Sequence, residues 1–319
     1  MGARVSVAVC RYAGLVDPLG IMLLLLLLLT RTCSCEIDVT AMAAFQAARP
    51  LARLLRLRNV PILEALRLEE ALFRVDKRSW IITNEWDSGG GVSSLTGQER
   101  PASAATAIVL GISGKAPELV HLEKTRDAGI PLCRRFTGGG TVIVDTNTIF
   151  VTFLSAAGAL PEVVPYPDPI LQWTSQVYRD ALQRCGIDSF ATHANDYCIG
   201  DKKFGGNAQS ISGKRWLHHT SLLWDYEPAR MELLRMPARR PEYRADRSHG
   251  QFVRGLAASG VPERSQLMSA LLGAVGERFN LQEVSVQEAL PALAVEHRKT
   301  TRPVSIEDEL IALKMSKGR

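Results

Sequence analysis

Three short stretches of the chain carry side chains able to handle an acidic or phosphorylated small molecule. The first runs Arg134-Arg135-Phe136-Thr137-Gly138-Gly139-Gly140-Thr141-Val142-Ile143-Val144-Asp145. Three successive glycines let the backbone come close to a ligand and turn several N–H groups toward an anion. Arg134 and Arg135 add cations, Thr137 a hydroxyl, and Asp145 an acceptor for a ribose or a bound metal. A glycine-rich hairpin turn would read the same way. The second stretch runs from Asn195-Asp196 to Ala208 and places Lys203 beside Phe204-Gly205-Gly206. A fixed ammonium group reached through small residues can hold a carboxylate and then the phosphate of an acyl-adenylate. For any single lysine the alternative is a solvated side chain, and Lys202, in a turn after Gly200, fits that description. The third stretch, Trp216 to Trp224, reads as a strand with adjacent His218 and His219. Neighbours on a strand point to opposite faces, so the two do not chelate one metal together. Either one alone can equally be a structural histidine, and His219 is the candidate for a cavity.

Several other chemistries are excluded. Gly111 to Ala116 looks like a phosphate loop, but Val109 and Ala116 stand where a Walker A motif needs Gly and Ser or Thr. No G-x-S-x-G elbow and no H-E-x-x-H helix occurs. The six cysteines have neither zinc spacing nor the density of a disulfide framework, which favours a reducing compartment. Of the net charge of +5, +4 falls in residues 1–60, which hold seven Arg and three acids. The body is neutral, and no basic stripe interleaved with aromatics is present to bind nucleic acid. With 46% hydrophobic and 22% charged residues in 319, the chain is globular rather than fibrous or disordered, and long enough for two domains or one large one.

The elements that must hold these residues follow from periodicity. Leu66, Leu68, Ala71, Leu72 and Val75 recur at helical spacing between Pro61 and Asp76. Strands are expected at 80–86, 107–111, 130–135, 141–145, 149–154, 196–199, 207–212 and 216–224, and helices at 119–128, 170–183 and 263–279. Residues 87–105, rich in Gly, Ser and Ala, read as a flexible insertion. Strands and helices intersperse without regular β-α-β alternation, which predicts an α/β or α+β domain with a mixed sheet. Domain boundaries are set at 1–60 for a leader, 61–285 for the folded domain and 286–319 for a charged tail.

Ile21 to Leu29 is an apolar run of nine, too short to span a bilayer and of the length of a signal-peptide core. The Ala-, Leu- and Arg-rich, acid-free stretch from Met42 to Arg58 has the composition of an organellar import leader instead. Import, to the mitochondrion with the plastid as alternative, is preferred over secretion, and Met42 is an alternative start. The Met1-Gly2 myristoylation pattern is read as chance.

Taken in order, the three stretches resemble the catalytic domain of lipoate-protein ligases and their biotin-ligase relatives. Bacterial lipoate ligases carry R-R-x-S-G-G-G-A-V-x-H-D, then N-D and G-x-K-x-x-G-x-A, then H-H-x-x-L-L; Arg134 to Asp145, Asn195-Asp196, Asp201 to Ala208 and His218 to Leu223 stand in those places. The resemblance spans roughly residues 61–285. It implies a mainly antiparallel mixed sheet flanked by helices, and a two-step reaction. Lipoate and ATP give lipoyl-AMP, and a lysine of a lipoyl domain then displaces AMP. Acceptors would be lipoyl domains of 2-oxoacid dehydrogenases or the glycine cleavage H protein. By the same resemblance Lys203 contacts the acyl carboxylate and adenylate phosphate, and Gly138, Gly139 and Gly140 form the covering loop, followed by Thr141. Arg135 and Thr137 lie beside the acyl group, and Asn195 and Asp196 near the phosphate and Mg²⁺. Gly206 and Ala208 line the lipoyl channel, and His219 matches the second histidine. No fixed metal site is implied; Mg²⁺ would arrive with ATP, with Asp196 as its contact.

The sequence departs from the bacterial pattern at Val144, where a His precedes Asp145, and at Asn147-Thr148 in place of Gly-Asn. After residue 285 only about thirty residues remain, so the accessory domain common in bacterial ligases is not expected here. Two other functions stay open. An octanoyl or lipoyl acyltransferase of this fold works through a cysteine thioester, but here Ser189-Phe190 stands where a Cys-Phe step belongs, with Cys185 four residues earlier. A non-catalytic lipoyl-binding protein would not need Lys203.

Overall fold

The computed structural model describes residues 49–237 and 240–317. In chain order the strands are β1 (Leu51–Arg58), β2 (Ser79–Glu85), β3 (Gly90–Val92), β4 (Glu99–Pro101), β5 (Ala107–Leu110), β6 (Leu132–Arg134), β7 (Val142–Val144), β8 (Thr148–Ser155), β9 (Phe190–His193), β10 (Asp196–Ile199), β11 (Lys202–Ser212), β12 (Arg215–Leu223), β13 (Asn280–Val284) and β14 (Arg302–Val304). The longer helices are α1 (Ile62–Val75), α2 (Pro167–Arg184), α3 (Arg264–Gly276) and α4 (Ile306–Lys317). The main sheet has the order β13-β1-β2-β8-β12-β11-β10-β9, parallel at the β13-β1-β2 end and antiparallel from β2 onward. A second sheet, β14-β6-β5-β7, mixes one parallel pair with two antiparallel ones. The expected mixed, mainly antiparallel sheet flanked by helices is the observed fold. Among the described residues no helix is long and apolar enough to cross a membrane.

Alternation along β8 explains why it is buried throughout. Ile149, Val151 and Phe153 face the layer of α2 and α3, packing with Val177, Tyr178, Leu271 and Val275. Leu154 faces the other side, where α1 brings Leu68 and Leu72 against Trp80 and Leu217. Phe150, also on that side, meets Leu66 of α1 and Val109 of β5, so the small sheet lies beside α1 over the end of β8. Each such side chain contributes about 1.5–3 kcal/mol on burial. Pro61 precedes α1 with φ −54°, an entry geometry its ring fixes in advance.

Three expectations are corrected. The folded unit starts before residue 61: Leu51–Arg58 is a strand between β13 and β2. Ala52, Leu54, Leu55 and Leu57 are buried, while Arg53, Arg56 and Arg58 reach Glu288, Glu283 and Glu85. A strand alternating Leu with Arg has the composition of an import leader, because the acids that answer its arginines lie far along the chain. The rest of the leader reading, with its targeting consequence, falls on residues 1–48, outside the described residues. Residues 87–105 are not an unstructured insertion but the β3–β4 hairpin and a 3₁₀ turn. Asn59 fixes its base, donating to Asp87 Oδ2 at 2.8 Å and accepting from the Asp87 N–H at 2.9 Å.

Residues 286–319 are not a loose tail either. Ala289 and Ala292 pack with Leu57 and Trp80, and β14 completes the small sheet beside β6. The clamp is Glu70, buried on α1, whose carboxylate accepts from Thr300 N–H (3.0 Å), Thr300 Oγ1 (2.6 Å) and Thr301 N–H (2.8 Å). Burial pushes this carboxyl up, but the Thr300 and Thr301 hydrogen bonds outweigh it and hold the group below its ordinary value. A carboxylate depressed in the folded state contributes stability above its unfolded pKa and loses it as the pH falls through the folded one. Glu70→Ala is therefore expected to cost about 2–4 kcal/mol in urea unfolding at pH 7. The deficit of Glu70→Gln relative to wild type is expected to shrink as the pH falls below 4.5, the ordinary value for the group.

Candidate functional site

The antiparallel ladder β9 to β12 sets up one wall of the site. Ala194 (φ 45°) and Asn195 (φ 73°) make the tight left-handed turn between β9 and β10. Beyond it Tyr197 pairs with Gly205 but Cys198 with Lys203, so β11 carries one extra residue, Phe204. Phe204 is buried in the core, and Lys203 beside it lines a cavity. Its ammonium lies 2.7 Å from Asp196 Oδ1, and the Tyr243 hydroxyl donates to Asp196 Oδ2 at 2.8 Å. Gly206 keeps that lysine free to extend: a Cβ there would stand 3.2 Å from Lys203 Nζ and 3.3 Å from its Cε.

The opposite wall is the loop between β6 and β7. Arg135 is buried, and its guanidinium is spent on the loop itself. Nε donates to Thr137 Oγ1 (2.9 Å), and Nη2 to the carbonyls of Gly138 (2.6 Å) and Gly140 (2.8 Å). Burial pushes its pKa down to about 10, since no carboxylate among the described residues pairs with it. Gly139, at φ 89°, passes so close that a Cβ would sit 2.9 Å from Arg135 Nη2, so the glycine run and the arginine require each other. Arg134 instead ties down the 111–114 loop by donating to the carbonyls of Gly111 and Gly114.

Between the walls stands His219. Its Nε2 is 3.1 Å from Thr137 Oγ1 and its Nδ1 2.9 Å from Glu69 Oε2 of α1, whose other oxygen accepts from Thr152 Oγ1 at 2.8 Å. Since Thr137 Oγ1 already accepts from Arg135, every group is satisfied when the hydroxyl donates to Nε2 and Nδ1–H donates to Glu69. His218 points the other way, as alternation requires. Gln209 donates to its Nδ1 (3.1 Å), leaving Nε2–H for the Tyr197 hydroxyl (2.9 Å), which lies 2.8 Å from Thr174 Oγ1. Burial pushes His218 down to about 3, with His219 adding to the effect.

The cavity between these walls has a volume of about 330 Å³. Leu66, Val109 and Phe150 belong to its apolar lining, and Lys203, Arg235, Arg244 and His249 to its basic lining. Of the candidates read from the sequence, Arg135, Gly140, Thr141, Asp196, Lys203, Gly206, Ala208 and His219 line it. Thr137, Gly138 and Gly139 lie in the same loop but are not part of that lining. Two candidates fall elsewhere, a correction to both. Asp145 accepts from Arg230 at 2.6 Å and from the Asn147 N–H at 2.8 Å, which takes it away from ribose or metal. Asn195 serves the turn, its carbonyl accepting from Asn207 Nδ2 at 2.6 Å. Asp196 is the one carboxylate lining the cavity among the described residues, and no cluster of three potential ligands occurs there. A single paired carboxylate does not make a cage for a resident divalent ion. Sequence reading missed Glu69, Tyr243, Arg244, His249 and Phe252. Glu69 had a usable signal, an acid on the apolar face of a helix; the irregular 241–253 segment had none.

The family described as the lipoyl protein ligase A/B catalytic domain matches residues 101–271, more than half of the chain. Inactive lipoate-protein ligase 2 of Plasmodium falciparum is 28% identical over 238 residues, 61% of this chain and 60% of its own length. The chain spans less than two thirds of the length of the curated relatives it matches. A lipoate-protein ligase A bound with ATP superposes with a TM-score of 0.58 at 16% identity, over 77% of this chain and 93% of that one. A chain from the structural analysis of an archaeal lipoylation system, a bi-partite lipoate protein ligase and its E2 lipoyl domain from Thermoplasma acidophilum, gives 0.58 at 17% identity, over 77% and 91%. At these identities the structures establish a shared fold.

Two outcomes test the geometry. Gly206→Ala, which crowds Lys203, is expected to weaken binding of a short fatty acid about tenfold in calorimetry while the thermal melt stays within about 2 °C. His218 refuses until about pH 3 the proton that the unfolded chain accepts near 6.5. Its burial therefore costs stability as the pH falls through that window. The urea midpoint is expected to drop between pH 7 and 4, and His218→Gln to flatten the slope; an unchanged slope would place the proton uptake on other groups.

Proposed function

The chain belongs to the lipoyl protein ligase A/B catalytic-domain family, and on that premise we propose that it is an ATP-dependent lipoate-protein ligase. It activates lipoate as lipoyl-AMP and passes the acyl group to a lysine of a lipoyl domain. The observation that carries this reading is Lys203, held at 2.7 Å from Asp196 on the wall of a cavity lined by both apolar and basic side chains. An acyl chain fits the side of Leu66, Val109 and Phe150, and its carboxylate then meets the ammonium.

In the first step a carboxylate oxygen bonds to the α-phosphorus of ATP and the bond to pyrophosphate breaks. Both reactants are anions, so the task of the site is to offset their repulsion. Lys203 can exchange Asp196 for the substrate carboxylate without moving its backbone, because Gly206 leaves its path open. Tyr243 keeps Asp196 hydrogen-bonded during that exchange. In the second step the acceptor lysine, as a free amine, attacks the anhydride carbonyl; the C–N bond forms and AMP leaves. The loop braced by Arg135 is rigid on its buried side, while Gly139 and Gly140 are exposed, which suits a loop that must admit a second protein. Mg²⁺ would come with the nucleotide, and no step here depends on it.

What supports ATP as the co-substrate and a lipoyl domain as the acceptor is that one neighbour of this fold is bound with ATP and another is described together with its E2 lipoyl domain. Lipoyl domains of 2-oxoacid dehydrogenases or the glycine cleavage H protein are the proposed acceptors. Import into mitochondria, which rests on residues 1–48, belongs to the same proposal. The thioester route is disfavoured by position. Cys185 is buried in the α2–α3 core, burial pushes its thiol up, and among the described residues no cysteine lines the cavity.

One observation keeps a second reading in play, a lipoyl-binding protein without catalysis: a relative 28% identical is named inactive. Intact mass of an apo lipoyl domain separates the three. After incubation with the protein, lipoate and Mg-ATP, a lipoyl adduct is expected, falling at least about a hundredfold in rate with Lys203→Ala. An octanoyl adduct formed only from octanoyl carrier protein without ATP would overturn the ligase reading. Lipoate binding with no AMP release would establish the binder.

A further inference from the structure

Alternation in the main sheet lays Phe150, Ser221 and Gly206 side by side on one face, because Phe150 pairs with Ser221 and Ser221 with Gly206. All three belong to the lining of the cavity. The row leads from an apolar residue toward Lys203, since a Cβ on Gly206 would stand 3.2 Å from Lys203 Nζ and 3.9 Å from Ser221 Oγ. The ammonium and the hydroxyl thus flank the space that a larger side chain would fill, a gap that one carboxylate bridges with a hydrogen bond at each oxygen. Ser221 has a proton to give. Its hydroxyl donates to the Gly206 carbonyl only at 3.5 Å, well beyond the roughly 2.7–2.8 Å usual for such a donor. The neighbouring polar side chains of the lining are engaged elsewhere. Both ring nitrogens of His219 are taken up by Thr137 and Glu69, and Asn207 Nδ2 is drawn to the Asn195 carbonyl. Arg135 spends its donors on Thr137 and the glycine loop.

We propose that Ser221 is a catalytic residue of acyl transfer, its hydroxyl holding the carboxyl oxygen that does not bond to phosphorus, an assignment that rests on the ligase reading above. A carboxylate offers two equivalent oxygens, and adenylation uses one. With the acyl chain over Phe150, the Ser221 hydroxyl meets the spectator oxygen, and Lys203 is left for the oxygen where the charges of carboxylate and phosphate come together. Once AMP is attached, the spectator is the carbonyl oxygen of the anhydride. The acceptor amine then forms the C–N bond, and the π pair of the carbonyl moves onto that oxygen, against the Ser221 donor. Collapse of the oxyanion breaks the bond from carbon to the phosphate oxygen. AMP leaves with the electron pair, and the nitrogen gives up its extra proton to solvent. Ser221 shares its proton without transferring it. A donor already in place where charge develops favours the transition state over the bound substrate. A serine that served only its strand would close a shorter bond than the one it makes here.

Preformed lipoyl-AMP and an apo lipoyl domain, followed by intact mass in a single turnover of the full chain, isolate transfer from adenylation. Ser221→Ala is expected to slow transfer about a hundredfold and to melt within about 2 °C of wild type. Its affinity for octanoate in calorimetry is expected to fall no more than about fivefold. Ser221→Thr, which keeps the hydroxyl, is expected to recover most of the rate, and Ser221→Cys, close in shape but a weak donor, is not. Equal transfer by wild type and Ser221→Ala would overturn the assignment and leave the ligase reading standing. A loss of rate no larger than the loss of octanoate affinity, or a Cys variant as fast as the Thr variant, would overturn it likewise. Wild type that transfers from lipoyl-AMP but makes none from lipoate and Mg-ATP, with Ser221→Ala still slowed, would sink the ATP reading and keep Ser221. Wild type that moves no acyl group from the adenylate would end both.

Discussion

Buried polar groups that only one another can satisfy tie α1, β12 and the glycine loop into a single object. Glu69 holds Thr152 and His219, His219 reaches Thr137, and Arg135 reaches both Thr137 and the carbonyls of Gly138 and Gly140. Each of the five side chains is buried, so removing one strands its neighbour away from water, and the cost of an unmade bond exceeds the gain from a made one. The neighbouring Glu70 does the same for the far end of the chain, clamping Thr300 and Thr301 and so laying β14 along β6. Two consecutive acids on one helix thus fix both the loop that faces the cavity and the strand that backs it.

This construction divides labour among the basic residues. Arg135 and Arg134 spend their donors on backbone carbonyls and shape loops. Arg230 neutralises Asp145, and Arg53, Arg56 and Arg58 pair with Glu288, Glu283 and Glu85 along β1. Of the basic residues that line the cavity, Arg135 and Arg235 also donate to backbone carbonyls, while Lys203 is paired to a carboxylate it can exchange and Arg244 Nη2 has no hydrogen-bond partner. Chemistry that joins a carboxylate to a phosphate needs that kind of reserve, because a cation already saturated by the protein has nothing to give a transition state.

Much of the architecture was legible. The apolar periodicity of α1, α2 and α3 and the alternation of β8 and β12 marked the elements, and strict alternation alone sent His218 and His219 to opposite faces. The glycine run, the Lys203 neighbourhood and the His pair were found because close backbone approach and a spared ammonium leave a local signature. Three stretches misled for a common reason: their order comes from partners far along the chain. The Leu-Arg alternation of 51–58 needs acids near 283–288, the 87–105 hairpin needs Asn59, and the 286–304 stretch needs Glu70 and β6. Composition windows cannot register an interaction across separations that run here from 28 residues for Asn59 and Asp87 to 230 for Glu70 and Thr300.

By itself the sequence determined which stretches supply candidate residues and in what order, together with a mixed sheet to hold them, since periodicity, glycine geometry and charge are local properties. The tertiary structure decided what each of those residues does. It set Arg135 to brace the glycine loop, drew Asp145 away to Arg230, gave Asn195 to a turn, and brought Arg244 and His249 from an unpatterned segment into the lining that Lys203 shares, with Tyr243 on Asp196. The reason is that a polar side chain's role is set by which of its donors and acceptors remain unspent once it is buried, and that count is fixed only when every element has been packed.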